Sequence, residues 1–127
     1  MATYVNKGLE MTVKLLNGVV ATPMKYIATG SGSTAEGNAQ TALVTENTAT
    51  GMGRAEATCA YVANYQATWT HEWTNGSGGS VTVREVGIFD ATPSGGNMLM
   101  RHVYSGDKVI LDTESITIVV TFTQGRV

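Results

Sequence analysis

The chain has 127 residues, with eight basic and ten acidic side chains, a net charge of −2 and a pI near 5.6. Its basic residues are scattered from Lys7 to Arg126 and never form a run, which argues against duplex nucleic acid as the main partner, and no stretch reaches the ~20 apolar residues that cross a bilayer. Only 14% of residues are charged, well below the ~25% usual in soluble domains, while 19 Thr and 15 Gly fill the polar positions, so part of the surface is expected to be interface.

Residues 6–17 form the one good helix candidate. Asn6 is placed to cap it, Leu9, Val13 and Leu16 recur on one face, and Gly18 suits the position just past its end. Met24 to Thr29 reads as a short strand, and the loop from Gly30 to Gly37 follows it. Residues 38–52 read as an extended arm or irregular crossing. From residue 53 a period of two sets in, with Ala55, Ala57, Cys59, Tyr61, Ala63 and Tyr65 on one side, continuing as Trp69, His71 and Trp73. That run exceeds an ordinary strand, so a bulge or break is expected near Gln66–Ala67.

Asn75 to Ser80 then reads as a hairpin loop, and Val81 to Ala91 as a strand apolar on both faces at its far end. A turn at 93–96, a strand from Met98 to Tyr104, a turn at 105–108 and a short strand at Val109–Leu111 follow. Glu114 to Gln124 closes the chain with Ile116, Ile118, Val120 and Phe122 inward. The expected fold is mainly β, an antiparallel sandwich or barrel-like sheet with one short N-terminal helix. It is read as a single domain, 1–127, made of a helix and irregular arm over 1–52 and a β core over 53–124.

Few residues offer chemistry. His71-Glu72 lacks the second His of an H-E-x-x-H pair, since Asn75 stands there. His71 and His102, with Glu85 or Asp90, would hold a metal only if paired strands brought them together, and ordinary sheet positions explain both. Cys59 lies mid-strand without a neighbouring base and is expected to be a buried, inert thiol. Gly30-Ser-Gly-Ser33 lacks the Lys-Ser/Thr ending of a phosphate loop. No catalytic, cofactor-binding or metal-binding residue is assigned, and the chain is read as a non-enzyme. Trp69 and Trp73, with Tyr61 and Tyr65, form an aromatic stripe suited to a core or a subunit interface, and less well to sugar binding. With Leu9 and Leu16 they are the expected interface residues.

The segment VREVGIFDATPSGGNMLMR (83–101) resembles a recurring stretch of small structural proteins of tailed bacteriophages: an acid-Val/Ala-Gly-Leu/Ile-Phe-Asp/Asn strand, a Gly-Gly turn, then Met-Leu-x-Arg. YIATGSGSTA (26–35) and SITIVVTF (115–122) are similar to two further segments of such proteins, in the same order. The resemblance implies a virion component, made in a host bacterial cytoplasm and assembled with the major capsid protein or other virion proteins. Small size favours a capsid decoration (cement) protein in several copies, a trimer by preference, with no nucleic acid, membrane or cofactor. A collar or tail-fibre module touching tail proteins or host glycans through Trp69 and Trp73 is the alternative. Glu85 and Arg101 fall on strands joined by the 93–96 turn and are positioned either to pair across the sheet or to stand in solvent.

Overall fold

The computed structural model describes residues 2–125. Eight strands and one helix follow one another as β1 (Thr3–Tyr4), α1 (Asn6–Leu16), β2 (Tyr26–Gly30), β3 (Ala55–Glu56), β4 (Thr58–Val62), β5 (Gln66–Thr74), β6 (Val81–Phe89), β7 (Met98–Ile110) and β8 (Ser115–Thr123). They build two antiparallel sheets, one in the order β1-β7-β6-β2-β3 and one in the order β4-β5-β8. The fold is therefore mainly β with one short N-terminal helix, as the alternation implied.

One core lies between the sheets. The smaller sheet contributes Trp69, Trp73, Ile118 and Val120, and the larger contributes Ile27, Val83, Val86, Ile88 and Met100. Burying each large side chain of this kind stabilises the fold by roughly 1.5–3 kcal/mol before the entropy of ordering the chain is counted. A second cluster of Val5, Ala28, Leu43, Phe89 and Met98 lies apart from it and draws the 38–46 segment onto the larger sheet. This explains why β6 is apolar on both faces.

Several boundaries differ from the sequence reading. The long alternation after residue 53 is interrupted at buried Ala57, where the chain leaves the larger sheet, and again at Ala63–Tyr65. There β4 and β5 turn into a hairpin, with Asn64 and Tyr65 at φ 67° and 63°. The break thus comes just before Gln66. Residues 75–80 are not a hairpin loop, because β5 and β6 belong to different sheets. Buried Asn75 organises this crossing by donating from Nδ2 to the carbonyls of Gly79 and Ile110, both at 2.8 Å.

The turn expected at 105–108 is a wide bulge inside β7. Val83 pairs with Lys108 and Glu85 with Val103, so four residues face Arg84 alone. Arg84 spans the bulge, donating to the Tyr104 carbonyl at 2.7 Å and to Asp107 at 3.0 Å.

The helix start also shifts. Asn6 is the first helical residue rather than the cap, and extended Val5 precedes it with no side-chain cap. Tertiary bonds replace the cap: the Val5 amide donates to the Leu99 carbonyl at 3.1 Å and the Asn6 amide to the Asn38 carbonyl at 2.7 Å. Gly8 lets the helix lie directly on β7, since a Cβ there would run into the Leu99 carbonyl oxygen. Gly18, at φ 80°, ends the helix where expected.

Candidate interaction surface

Helix α1 carries two apolar stripes. Gly8, Met11 and Leu15 face the body of the protein. Leu9, Val13 and Leu16 recur about one turn apart on another side, roughly 130° round the helix at 3.6 residues per turn. They are 54%, 62% and 88% exposed, and Val19 beyond them is exposed as well. Lys7, Glu10 and Lys14 form a third, ion-paired face, with Lys7–Glu10 at 2.9 Å and Lys14–Glu10 at 2.5 Å. The protein's own core uses only the first stripe.

An apolar groove opens beside the helix. Met24, Pro23 and Trp69 join a hollow of about 310 Å3 under Leu15 to one of about 620 Å3 under the β4–β5 hairpin. Tyr61 stands at the hairpin end of the groove, 74% exposed, and Tyr65 at the hairpin turn is also exposed. Lys25 and Glu56 border the groove as an exposed pair at 3.4 Å.

The six expected interface residues are therefore divided. Leu9, Leu16, Tyr61 and Tyr65 are exposed, whereas Trp69 and Trp73 belong to the core. Both indole N–H groups are used internally, Trp69 donating to the Met24 carbonyl at 2.5 Å and Trp73 to the Gly53 carbonyl at 2.8 Å. The His71 and Trp73 rings pack in a T-shaped arrangement, 4.7 Å between centroids. The two tryptophans do not form the surface platform that stacking on a sugar needs. Sequence reasoning missed Pro23, and it placed Met24 at the start of a strand that begins only at Tyr26.

The charged residues with the fewest exposed atoms are structural. Glu85 and Arg101 are fully buried and pair at 2.7 Å. The Glu85 carboxylate also accepts from the backbone amides of Gly32, Val44 and Thr45, each at 2.9 Å. Gly30 and Gly32 fit against it because a Cβ on either would lie 2.5 Å from a carboxylate oxygen. The Gly-Ser-Gly loop is thus a cradle for a protein carboxylate. Arg101 in turn donates to the Thr34 carbonyl at 2.8 Å and to Gln40 at 3.1 Å. Arg54, which the sequence reading passed over, lies 3.7 Å from the Phe89 ring centroid, pairs with Glu46 at 2.7 Å and donates to the Ala91 and Gly95 carbonyls. It holds the 90–97 loop in place.

His71 and His102 lie on different sheets, so the strands do not pair them. Among the described residues no group of three or more His, Cys, Asp or Glu side chains is placed to hold a metal ion. Cys59 is exposed on β4, correcting the expectation of a buried thiol. Partial burial nevertheless pushes its pKa up, with the nearby Glu56 carboxylate adding to the effect and Lys25 opposing it. The thiolate is disfavoured there. No known protein family matches the chain, and neither does any curated protein.

Two titrations give the fold a pH dependence of one sign. Desolvation of the Glu36 carboxyl works to raise its pKa, but the Val103 amide at 2.7 Å, the Thr3 hydroxyl at 2.8 Å and His102 outweigh it, and the pKa is lowered. The His71 pKa is also lowered, by desolvation, with Glu72 opposing. In both cases the unfolded chain binds more protons across the shifted range, so stability rises with pH through it. Stability is expected to fall as pH drops below about 6.5 through His71, then further below about 4.5 as Glu36 is protonated. Thermal unfolding followed between pH 7.5 and 3.5 checks this, with H71Q and E36Q each flattening its own part of the curve. A melting temperature that rises on acidification contradicts it.

Proposed function

We propose that this chain is a non-enzymatic structural subunit of a tailed-phage particle, seated on the capsid surface as a decoration (cement) protein bridging neighbouring capsid subunits. The observation that carries the proposal is the second apolar stripe of α1. Leu9, Val13 and Leu16 face water while the opposite flank of the helix supplies the core contact, which suits a surface buried on assembly. The resemblance of 26–35, 83–101 and 115–122 to tailed-phage structural proteins supplies the setting. Low charge agrees with it, since interface centres are depleted of charged residues.

The mechanism is additive burial. Each apolar Å2 removed from water contributes ~25 cal/mol, so a small subunit spanning two capsomers strengthens the shell without any bond being made or broken. The collar or tail-fibre alternative loses its sugar platform with Trp69 and Trp73 in the core. Labelled antibody on purified particles tests the location: label on the head supports the cement reading, and label confined to the tail overturns it.

A double substitution tests the surface. Leu9→Ser with Leu16→Ser alters exposed side chains only, so folding stability is expected to change by about 0.5 kcal/mol or less per site. Incorporation into particles is expected to fall strongly, read by quantitative blotting of purified virions. Wild-type incorporation of a folded double variant would remove α1 from the account.

A further inference from the structure

We infer that β8 is a pairing edge for a second copy of this chain, joining two smaller sheets into one six-stranded sheet about a twofold axis at Val119. In the smaller sheet β8 is an outer strand, and among the described residues it pairs with β5 alone. The phase of that ladder is fixed at both ends. The Asn75 amide donates to the Glu114 carbonyl at 2.8 Å, and the Gln124 amide donates to the Tyr65 carbonyl at 3.0 Å. Because antiparallel ladders alternate, the even-numbered residues of β8 bond to β5. The N–H and C=O groups of Ser115, Thr117, Val119, Thr121 and Thr123 therefore point away from the sheet. No described residue bonds to them.

Such an edge normally carries protection: a Lys, a Pro, a bulge or a covering loop. Among the described residues β8 has none of these. Its nine residues, SITIVVTFT, contain no charge, no Pro and no Gly, and pair with β5 without a register shift. A cleft of about 270 Å3 runs along Val119–Thr121, bordered by Ala2, Met100, His102 and Tyr104.

A second copy fits this edge because the strand is self-complementary about its middle residue. Antiparallel pairing centred on Val119 sets Val119 against Val119, Thr117 against Thr121 and Ser115 against Thr123, all with outward backbone groups. On the core side it sets Ile118 against Val120 and Ile116 against Phe122. Polar meets polar and apolar meets apolar at every position, and the pairing makes about ten backbone hydrogen bonds across an isologous contact. A parallel neighbour in the same register would set Glu114 against Glu114, whereas the antiparallel one sets it against Gln124. The partner is a copy of this chain by pattern, not an extended peptide of another sequence. The inference rests on the edge geometry and stands apart from the virion reading.

Sedimentation equilibrium on the full chain, with residue-resolved hydrogen exchange, tests it. The wild type is expected to dimerise at micromolar concentration, with the amides of Thr117, Val119 and Thr121 protected in the dimer. Val119→Lys places like charges face to face at the axis. Val119 is 57% exposed, so the variant is expected to fold and to dimerise at least tenfold more weakly. Thr58→Lys, on the opposite edge strand β4, is expected to leave dimerisation unchanged. A wild type that stays monomeric at 100 μM would overturn the inference. So would an oligomer whose three amides exchange freely, or one weakened by Thr58→Lys and not by Val119→Lys.

Discussion

Glu85→Ala is expected to be among the most destabilising single substitutions in this chain, lowering stability by about 3–5 kcal/mol, the range for breaking a buried ion pair. The effect has two parts. Arg101, fully buried, is left as an uncompensated cation, and the amides of Gly32, Val44 and Thr45 lose their acceptor together. For a domain of this size the loss corresponds to a fall in Tm of more than about 10 °C. Arg101→Met is expected to cost less, about 1.5–3 kcal/mol, because the Glu85 carboxylate keeps its three amide donors. Denaturant unfolding of both variants checks the order, and an Arg101→Met protein less stable than Glu85→Ala would contradict it. The pair fixes where the loops of the first half lie, because Glu85 holds residues 32 and 44–45 and Arg101 holds residues 34 and 40.

Trp73→Ala is expected to cost about 3–5 kcal/mol, through the cavity left in the core and the Gly53 carbonyl left without its donor. Tyr61→Ala, on the neighbouring strand β4, is expected to change stability by less than about 0.5 kcal/mol, since that ring stands in solvent. Parallel thermal melts of the two variants compare them directly. Equal losses would mean that the hairpin end of the groove is packed as tightly as the core.

The contrast between these two aromatic residues shows what period-two alternation conveys and what it omits. It places Tyr61 and Trp73 on the same side of the smaller sheet, and both lie there. It does not say how far that sheet is overlapped by the other, and β4 extends beyond the overlap. The same limit applies to Val81–Phe89, where the apolar pattern rightly implied cover on both faces. That cover includes Leu43, from a segment whose sequence has no period at all. The loop at 105–108 read as a turn because Ser-Gly-Asp is turn chemistry, and that chemistry serves equally well in a bulge held by Arg84.

The candidate surface was partly legible. An 11-residue helix with apolar groups at both Leu9, Val13, Leu16 and Gly8, Met11, Leu15 presents more apolar face than one sheet can cover. The sequence reading picks out the Leu9, Val13 and Leu16 stripe and not the one that is buried, because Gly8 carries no hydrophobic signal. Its value lies in having no side chain, which lets Leu99 approach. Glu85 and Arg101 were separable from ordinary strand charges only through their partners in the 30–45 loop, contacts distant in sequence.

The central claim, that this chain works by packing onto other subunits of a phage particle, is tested most directly by quantitative mass spectrometry of washed, purified particles. The account predicts the chain in dozens of copies or more, at a fixed ratio to the major capsid protein. Particles that lack it, with the protein recovered only free in the lysate, would contradict the account.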